Sequence, residues 1–110
     1  MNDLNYVRVC AGPDGESHFE DIGIQLKPET PSSGVGQWLA SEWQPVKQIK
    51  YLYLPPFLRG VAHTAPRPLV HVVLTGTWRL QTSEGDSRSF RPGDVILAED
   101  TSGKGCSGRT

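Results

Sequence analysis

The chain is short, almost neutral and poor in cysteine. Its 110 residues include 11 basic and 12 acidic side chains, with a formal net charge of −1. This length predicts one domain, residues 1–110. The lack of a basic stripe argues against nucleic-acid binding, and no apolar run approaches the ~20 residues that span a bilayer. Residues 1–5 lack the basic start and apolar centre of a secretory signal, so we expect a cytoplasmic protein with Cys10 and Cys106 reduced.

Short apolar stretches with a period of two alternate with turn signals, which predicts an all-β sandwich or barrel. The first half contains, in chain order, predicted strands at residues 6–10 and 17–26, a proline- and glycine-rich loop at 27–36, a helical turn or irregular strand at 38–43, and a strand at 46–54. A change of phase within the second strand indicates a bulge near Asp21.

The second half continues this pattern up to a glycine-rich loop. Residues 69–74 form an apolar run interrupted only by His71, which is typical of a strand buried on both faces. We expect a hairpin of two strands, at 78–82 and 87–90, and a turn at Pro92-Gly93 that leads into a strand at 95–98. The loop at residues 103–105 then returns Cys106 toward the interior.

Three separated motifs resemble the cupin superfamily. Residues 15–21 read Gly-Glu-Ser-His-Phe-Glu-Asp and residues 99–105 read Glu-Asp-Thr-Ser-Gly-Lys-Gly, as in a group of small single-domain cupins. Between them, Gly76 and Pro92-Gly93 occupy the glycine and turn positions of the two cupin motifs. The resemblance implies a small jelly-roll β-barrel and a homodimer. It also implies a further strand after the glycine loop, which we expect this chain to lack.

The resemblance also places the metal-ligand positions of the cupin motifs. Counted back from Gly76, they fall on His63, Ala65 and Leu69, and the position after the glycine loop falls on Cys106. Transition-metal sites need three or four ligands, so two donors lead us to expect no metal cofactor. The alternative is an oxygenase-like site in which His63, His71 and Cys106 hold a divalent transition metal.

The candidate site residues predict acid–base chemistry on a small organic molecule. His63 or His71 would act as a general base, and Tyr53 or Arg67 would stabilise a developing oxyanion. We expect a lyase-, isomerase- or cyclase-type enzyme for an anionic or carbonyl-containing metabolite. His71 also fits a core histidine with one hydrogen bond, and Arg67 also fits a plain surface side chain.

Side chains next to the glycine loop have alternative interpretations. Cys106 is either a reactive thiolate stabilised by Lys104 or a small filler in a site without metal. Glu99 and Asp100 point to opposite faces of their strand, so at most one meets the pocket. Capping of the glycine loop is the expected role of Asp100. A non-catalytic ligand-binding or accessory dimer is the alternative to an enzyme.

Overall fold

The computed structural model describes residues 4–29 and 38–110, and the regular elements among them are all β-strands. In chain order they are β1 (Asn5–Ala11), β2 (Ser17–Gly23), β3 (Lys27–Glu29), β4 (Trp38–Ala40), β5 (Leu69–Val72), β6 (Trp78–Thr82), β7 (Ser87–Phe90), β8 (Val95–Glu99) and β9 (Cys106–Arg109). No helix in these ranges has the length and apolar character needed to cross a membrane. The prediction of an all-β fold is confirmed.

The larger sheet has four strands in the order β2-β1-β8-β5. β1 runs antiparallel to β2 and parallel to β8, and β8 runs antiparallel to β5. Val9 lies beside Phe19 on β2 and beside Ala98 on β8. Side chains alternate between the two faces of a strand, so these residues share one face. It is the inner face, because Val9 is fully buried and so is Ile96, two residues before Ala98.

The smaller sheet has three antiparallel strands in the order β7-β6-β9. Leu80 on β6 and Phe90 on β7 are buried and pack with Val9 and Ile96 in one core cluster. Burial of an apolar side chain of this size is worth about 1.5–3 kcal/mol. The two sheets therefore meet as a sandwich, and none of the sheets in the described ranges closes into a barrel.

The turns lie where the sequence predicts them. The predicted turn at residues 12–15 lies in the connection from β1 to β2, residues 83–86 connect β6 to β7, and Pro92-Gly93 precedes β8. A short strand, β9, follows the glycine loop, which corrects our expectation that this strand is missing. The order of turns and strands from residue 78 onward is thus as expected.

Two predictions for residues 17–36 need correction. The bulge near Asp21 is wrong, because β1 and β2 pair without interruption from Asn5–Gly23 to Ala11–Ser17. The loop predicted from residue 27 begins instead with β3, which pairs with β4 in a two-stranded sheet. Residues 30–36 of that loop lie outside the described residues. For residues 38–43, the strand alternative is correct only for Trp38–Ala40, and residues 41–43 have no regular secondary structure.

The strand predicted at residues 46–54 is also wrong. Residues 41–55 have no regular secondary structure. Large side chains in and just beyond this stretch are exposed, with Trp43 93%, Tyr53 83% and Phe57 95% accessible. We refer to residues 41–57 as the apolar segment. It has a strand-like pattern without a strand partner in the described structure.

β5 differs from expectation because it lies at an edge. It pairs with β8 on one side only, and its Val70 and Val72 side chains are exposed. The prediction that this strand is buried on both faces is therefore wrong. Among the residues that the structure describes, β5 is thus an unpaired sheet edge with apolar side chains beside it.

Candidate functional site

Two motifs that are far apart in sequence dock against each other around the glycine loop. The backbone N–H of Lys104 donates to the carbonyl of Gly15 at 2.9 Å. The Ser17 hydroxyl donates to the carbonyl of Gly105 at 2.7 Å, and its oxygen accepts the backbone N–H of Ser83 at 2.9 Å. The segment at residues 15–21 thus fixes the glycine loop that precedes Cys106.

Lys104 pairs with Glu16 in this contact. The Glu16 carboxylate accepts hydrogen bonds from Lys104 and, with a smaller effect, from Ser83, and both lower its pKa. The hydrogen bond with Glu16 raises the pKa of Lys104. The Lys104 charge is therefore engaged by a carboxylate. It is not available as the cation that would stabilise a thiolate at Cys106.

His63 and Cys106 are direct antiparallel neighbours. The N–H of His63 donates to the carbonyl of Cys106 at 3.1 Å, and the N–H of Cys106 donates back to His63 at 3.0 Å. Gly105 has a φ of 69°, and a Cβ at this position would overlap the carbonyl of His63. Opposed residues of such a pair project to the same face, so the two cupin-like motif positions lie side by side.

A β-bulge separates this pair from the next one. Arg59 pairs with Arg109, so three residues, 60–62, lie opposite two residues, 107–108. An extra residue in one strand shifts the alternation of its side chains. His63 therefore projects to the same side as Cys106, which packs against the core, although the imidazole itself is exposed. Arg59 projects to the outer face.

Asp100 follows β8 and is only 1% exposed. Its Oδ2 atom has no hydrogen-bond partner among the described residues. Glu99 lies on the outer face and pairs with Arg8, which confirms that the two acidic side chains point in opposite directions. No hydrogen bond joins the Asp100 carboxylate to the amides of residues 101–105, so the expected cap is not formed there. The sequence pattern does not indicate this buried, unpartnered carboxylate oxygen.

Asp100 influences two of the predicted site residues. Burial, followed by the negative charge of Asp100 and its hydrogen bond to the thiol, raises the pKa of Cys106 from 9.0 to about 12. Partial burial lowers the pKa of His71, and the Asp100 charge opposes this effect in part. His71 lies opposite the fully buried Ile96, although its own side chain is largely accessible. At neutral pH the thiol is protonated and the imidazole is neutral.

The metal-binding alternative is not assembled by this geometry. Among the described residues, the donor atoms of His63, His71 and Cys106 do not gather within 4.8 Å. The group that does so is Asp14, His18 and Glu84, where the imidazole lies 2.8 Å from Glu84 and 3.6 Å from Asp14. All three side chains of that group are substantially accessible, and the histidine itself bridges the carboxylates.

Tyr53 and Arg67 lie apart from this set of inner-face residues. Tyr53 belongs to the apolar segment, and Arg67 lies at an exposed bend after Pro66. Neither side chain makes a hydrogen bond or ion pair with another described residue. Their roles as oxyanion stabilisers stay predictions.

Comparisons of the chain with protein-family models, with curated proteins and with solved structures find no significant match.

Proposed function

We propose that the chain is a small cupin-like domain that binds a small organic molecule next to Asp100 and transfers protons on it without a metal. The observation that carries this proposal is the unpartnered Oδ2 of Asp100. A buried polar group without a partner costs about 1–3 kcal/mol, and more when it is charged. A ligand hydroxyl or amide that donates to Oδ2 would remove that cost on binding.

The surrounding groups are suited to acid–base chemistry. A neutral His71 accepts a proton from a C–H or O–H group of the bound molecule, and the nearby Asp100 carboxylate stabilises the imidazolium that forms. The protonated Cys106 thiol is a weak donor rather than a nucleophile. His63, on the same face as Cys106, contributes a second imidazole. Isomerisation, dehydration and cyclisation each need such paired proton transfers.

A screen tests this proposal with thermal unfolding as the first readout. The probes are small hydroxy, keto and unsaturated carboxylic acids, and hits are incubated in D₂O to detect exchange of a C–H proton by NMR. We expect hits to stabilise the wild type and the control Asp86→Asn, which changes an exposed carboxylate, but not Asp100→Asn. Equal stabilisation of Asp100→Asn would contradict the binding site.

The second readout separates an enzyme from a binding domain. We expect wild-type protein to catalyse exchange or conversion of a hit and His71→Gln to bind it without exchange. Stabilisation by a hit without exchange or conversion in the wild type would favour the non-catalytic accessory domain.

The jelly-roll barrel is part of the proposal and rests on the docked motifs. The two motif segments meet at the glycine loop, and the first-motif position His63 pairs with the second-motif position Cys106. Both relationships are those a cupin barrel requires of these segments.

We also propose that the functional form is a homodimer. Within residues 4–29 and 38–110, the apolar segment has a strand-like pattern without a strand partner, and one edge of β5 is unpaired and flanked by exposed valines. Exposed edges and large apolar patches are the features that drive association of strands. In a symmetric pair, the segment of one copy would lie along β5 of the other.

Light scattering after size-exclusion chromatography tests this arrangement. We expect a dimer for the wild type and a monomer for Ile49→Lys, which places a charge within the apolar segment. Val61→Lys is the matched control, since Val61 is 81% exposed but lies outside that segment. A monomeric wild type, or a dimeric Ile49→Lys, would contradict the proposed interface.

A further inference from the structure

Three arginines form one row across the outer face of the smaller sheet. Arg79 on β6 is opposite Arg109 on β9, and Arg109 is opposite Arg59 on the other side. Opposed residues of antiparallel strands share a face, and Leu80, next to Arg79, is buried on the inner face. The row therefore lies on the face opposite to the core, Cys106 and Asp100.

Arg59 and Arg109 are paired in the antiparallel geometry that brings opposed residues closer together. The flanking residues make the hydrogen bonds, from Gly60 N–H to Gly108 at 2.8 Å and from Thr110 N–H to Leu58 at 3.1 Å. Arg59 and Arg109 are thus a non-hydrogen-bonded pair, in which the Cα atoms approach to about 4.5 Å. Like charges directly opposite each other destabilise a sheet, so the arrangement has a cost in the absence of an anion.

No carboxylate of the described residues offsets this charge. None of the three arginines takes part in an ion pair within residues 4–29 and 38–110, whereas Arg8 and Arg88 pair with acidic neighbours. The row lines a concavity of about 350 Å³ whose other side chains are all uncharged hydrogen-bonding groups: Gln81, Ser87 and Ser107. The concavity thus combines three guanidinium groups with neutral donors and no acid.

We propose that this concavity binds a small oxyanion with two or more negative charges, such as an organic phosphate or a polycarboxylate. Guanidinium groups bind phosphate and carboxylate oxygens with two parallel hydrogen bonds. Adjacent strands are about 4.8 Å apart, so three arginines span a width that suits an extended anion better than a single tetrahedral one. The site does not depend on the proposed function, since it lies on the opposite face of β6 and β9.

Titrations at constant ionic strength test the site. Pyrophosphate and citrate represent the two chemical sources, and orthophosphate and sodium chloride are the comparison ions. We expect saturable stabilisation of about 4 °C or more by one of the two extended anions and a weaker effect of orthophosphate. Preference for pyrophosphate would assign a phosphorylated ligand, and preference for citrate a polycarboxylate.

Variants separate binding from general screening of charge. We expect Arg79→Gln and Arg109→Gln to weaken the anion affinity at least about tenfold, whereas Arg91→Gln, an exposed arginine outside the concavity, keeps it. Without anion at low salt, Arg79→Gln should unfold at the same temperature as the wild type or a higher one, since a repulsion is removed.

Three results would overturn the proposal. The first is equal stabilisation by sodium chloride at matched ionic strength, and the second is unchanged anion binding in Arg79→Gln and Arg109→Gln. The third is binding of a DNA oligonucleotide or an acidic peptide that is tighter than binding of either small anion.

Discussion

Ser17 and Gly105, 88 residues apart, are joined by a buried hydrogen bond of 2.7 Å from the serine hydroxyl to the glycine carbonyl. The same hydroxyl oxygen accepts the N–H of Ser83. One side chain therefore satisfies backbone groups of the glycine loop and of the β6–β7 hairpin. It links three parts of the chain that are far apart in sequence: the start of β2, the glycine loop and the β6–β7 hairpin.

Ser17→Ala should destabilise the fold. Two backbone groups would lose their partner, at about 1–3 kcal/mol for each group that stays buried, so we expect a loss of about 2–4 kcal/mol in the free energy of unfolding. Urea unfolding with an unchanged m-value measures it. Ser89→Ala, an exposed serine on β7, should change the value by less than about 0.5 kcal/mol. Equal values for the two variants would show that the buried contact contributes nothing.

Gly105→Ala should be more damaging than a glycine replacement in an open turn. The new Cβ would overlap the His63 carbonyl, and the φ of 69° would be strained as well. We expect a loss of more than about 3 kcal/mol. Gly85 has a φ of 98° and open space where a Cβ would lie. Gly85→Ala should therefore lower the free energy of unfolding only by the backbone strain, about 1–2 kcal/mol. Similar unfolding midpoints for the two variants would contradict the tight approach of Gly105 to His63.

Cys106 should resist alkylation in the folded protein. A pKa raised from 9.0 to about 12 leaves about a thousandfold less thiolate at a given pH. Mass mapping after brief treatment with iodoacetamide at pH 8 should find Cys106 unmodified until the protein is unfolded. Asp100→Asn removes the nearby negative charge and should speed the reaction, whereas Asp86→Asn should not. Rapid modification of the folded wild type would support the reactive thiolate instead.

His71 should titrate below pH 6.5. Its pKa is lowered from 6.5 by partial burial, against the opposing charge of Asp100, so Asp100→Asn should lower the NMR midpoint further. An unfolded histidine then binds protons at a higher pH than the folded one, and this group's contribution to stability is present above pH 6.5 and is lost as the pH falls through the folded pKa. His71→Gln should remove that part of the pH dependence. A wild-type midpoint at or above 6.5 would be inconsistent with desolvation at this position.

The predictions from sequence succeed where local chemistry decides the structure. The Gly93 and Gly85 turns are correct because a positive φ favours glycine irrespective of what packs nearby. The opposite orientation of Glu99 and Asp100 follows from the strand period alone. Cys106 and His63, which the resemblance assigns to the two motifs, are paired through their backbones.

The wrong predictions concern which segments pair or pack with each other, and a local sequence pattern does not determine this. Residues 46–54 alternate like a strand, but a strand needs a hydrogen-bonding neighbour, and the described structure has none for them. The apolar run of Leu69–Val72 predicts a buried strand, yet this strand pairs on one side only among the described residues. The row formed by Arg59, Arg79 and Arg109 had no signal at all, since the register of three separate segments brings these residues together. Asp100 was assigned a capping role because nothing in the sequence shows which hydrogen bonds a buried carboxylate lacks.

The extra residue between Arg59 and His63 has a consequence for natural variation in this chain. Deleting any one of the residues 60–62 would leave two residues opposite residues 107–108. The side chains on one side of the deletion would then point to the opposite face of the sheet. Either the Arg59 guanidinium group would turn into the apolar interior, or the His63 imidazole would turn away from the face that it shares with Cys106. Length changes there should therefore be tolerated far less than amino-acid replacements at the same three positions.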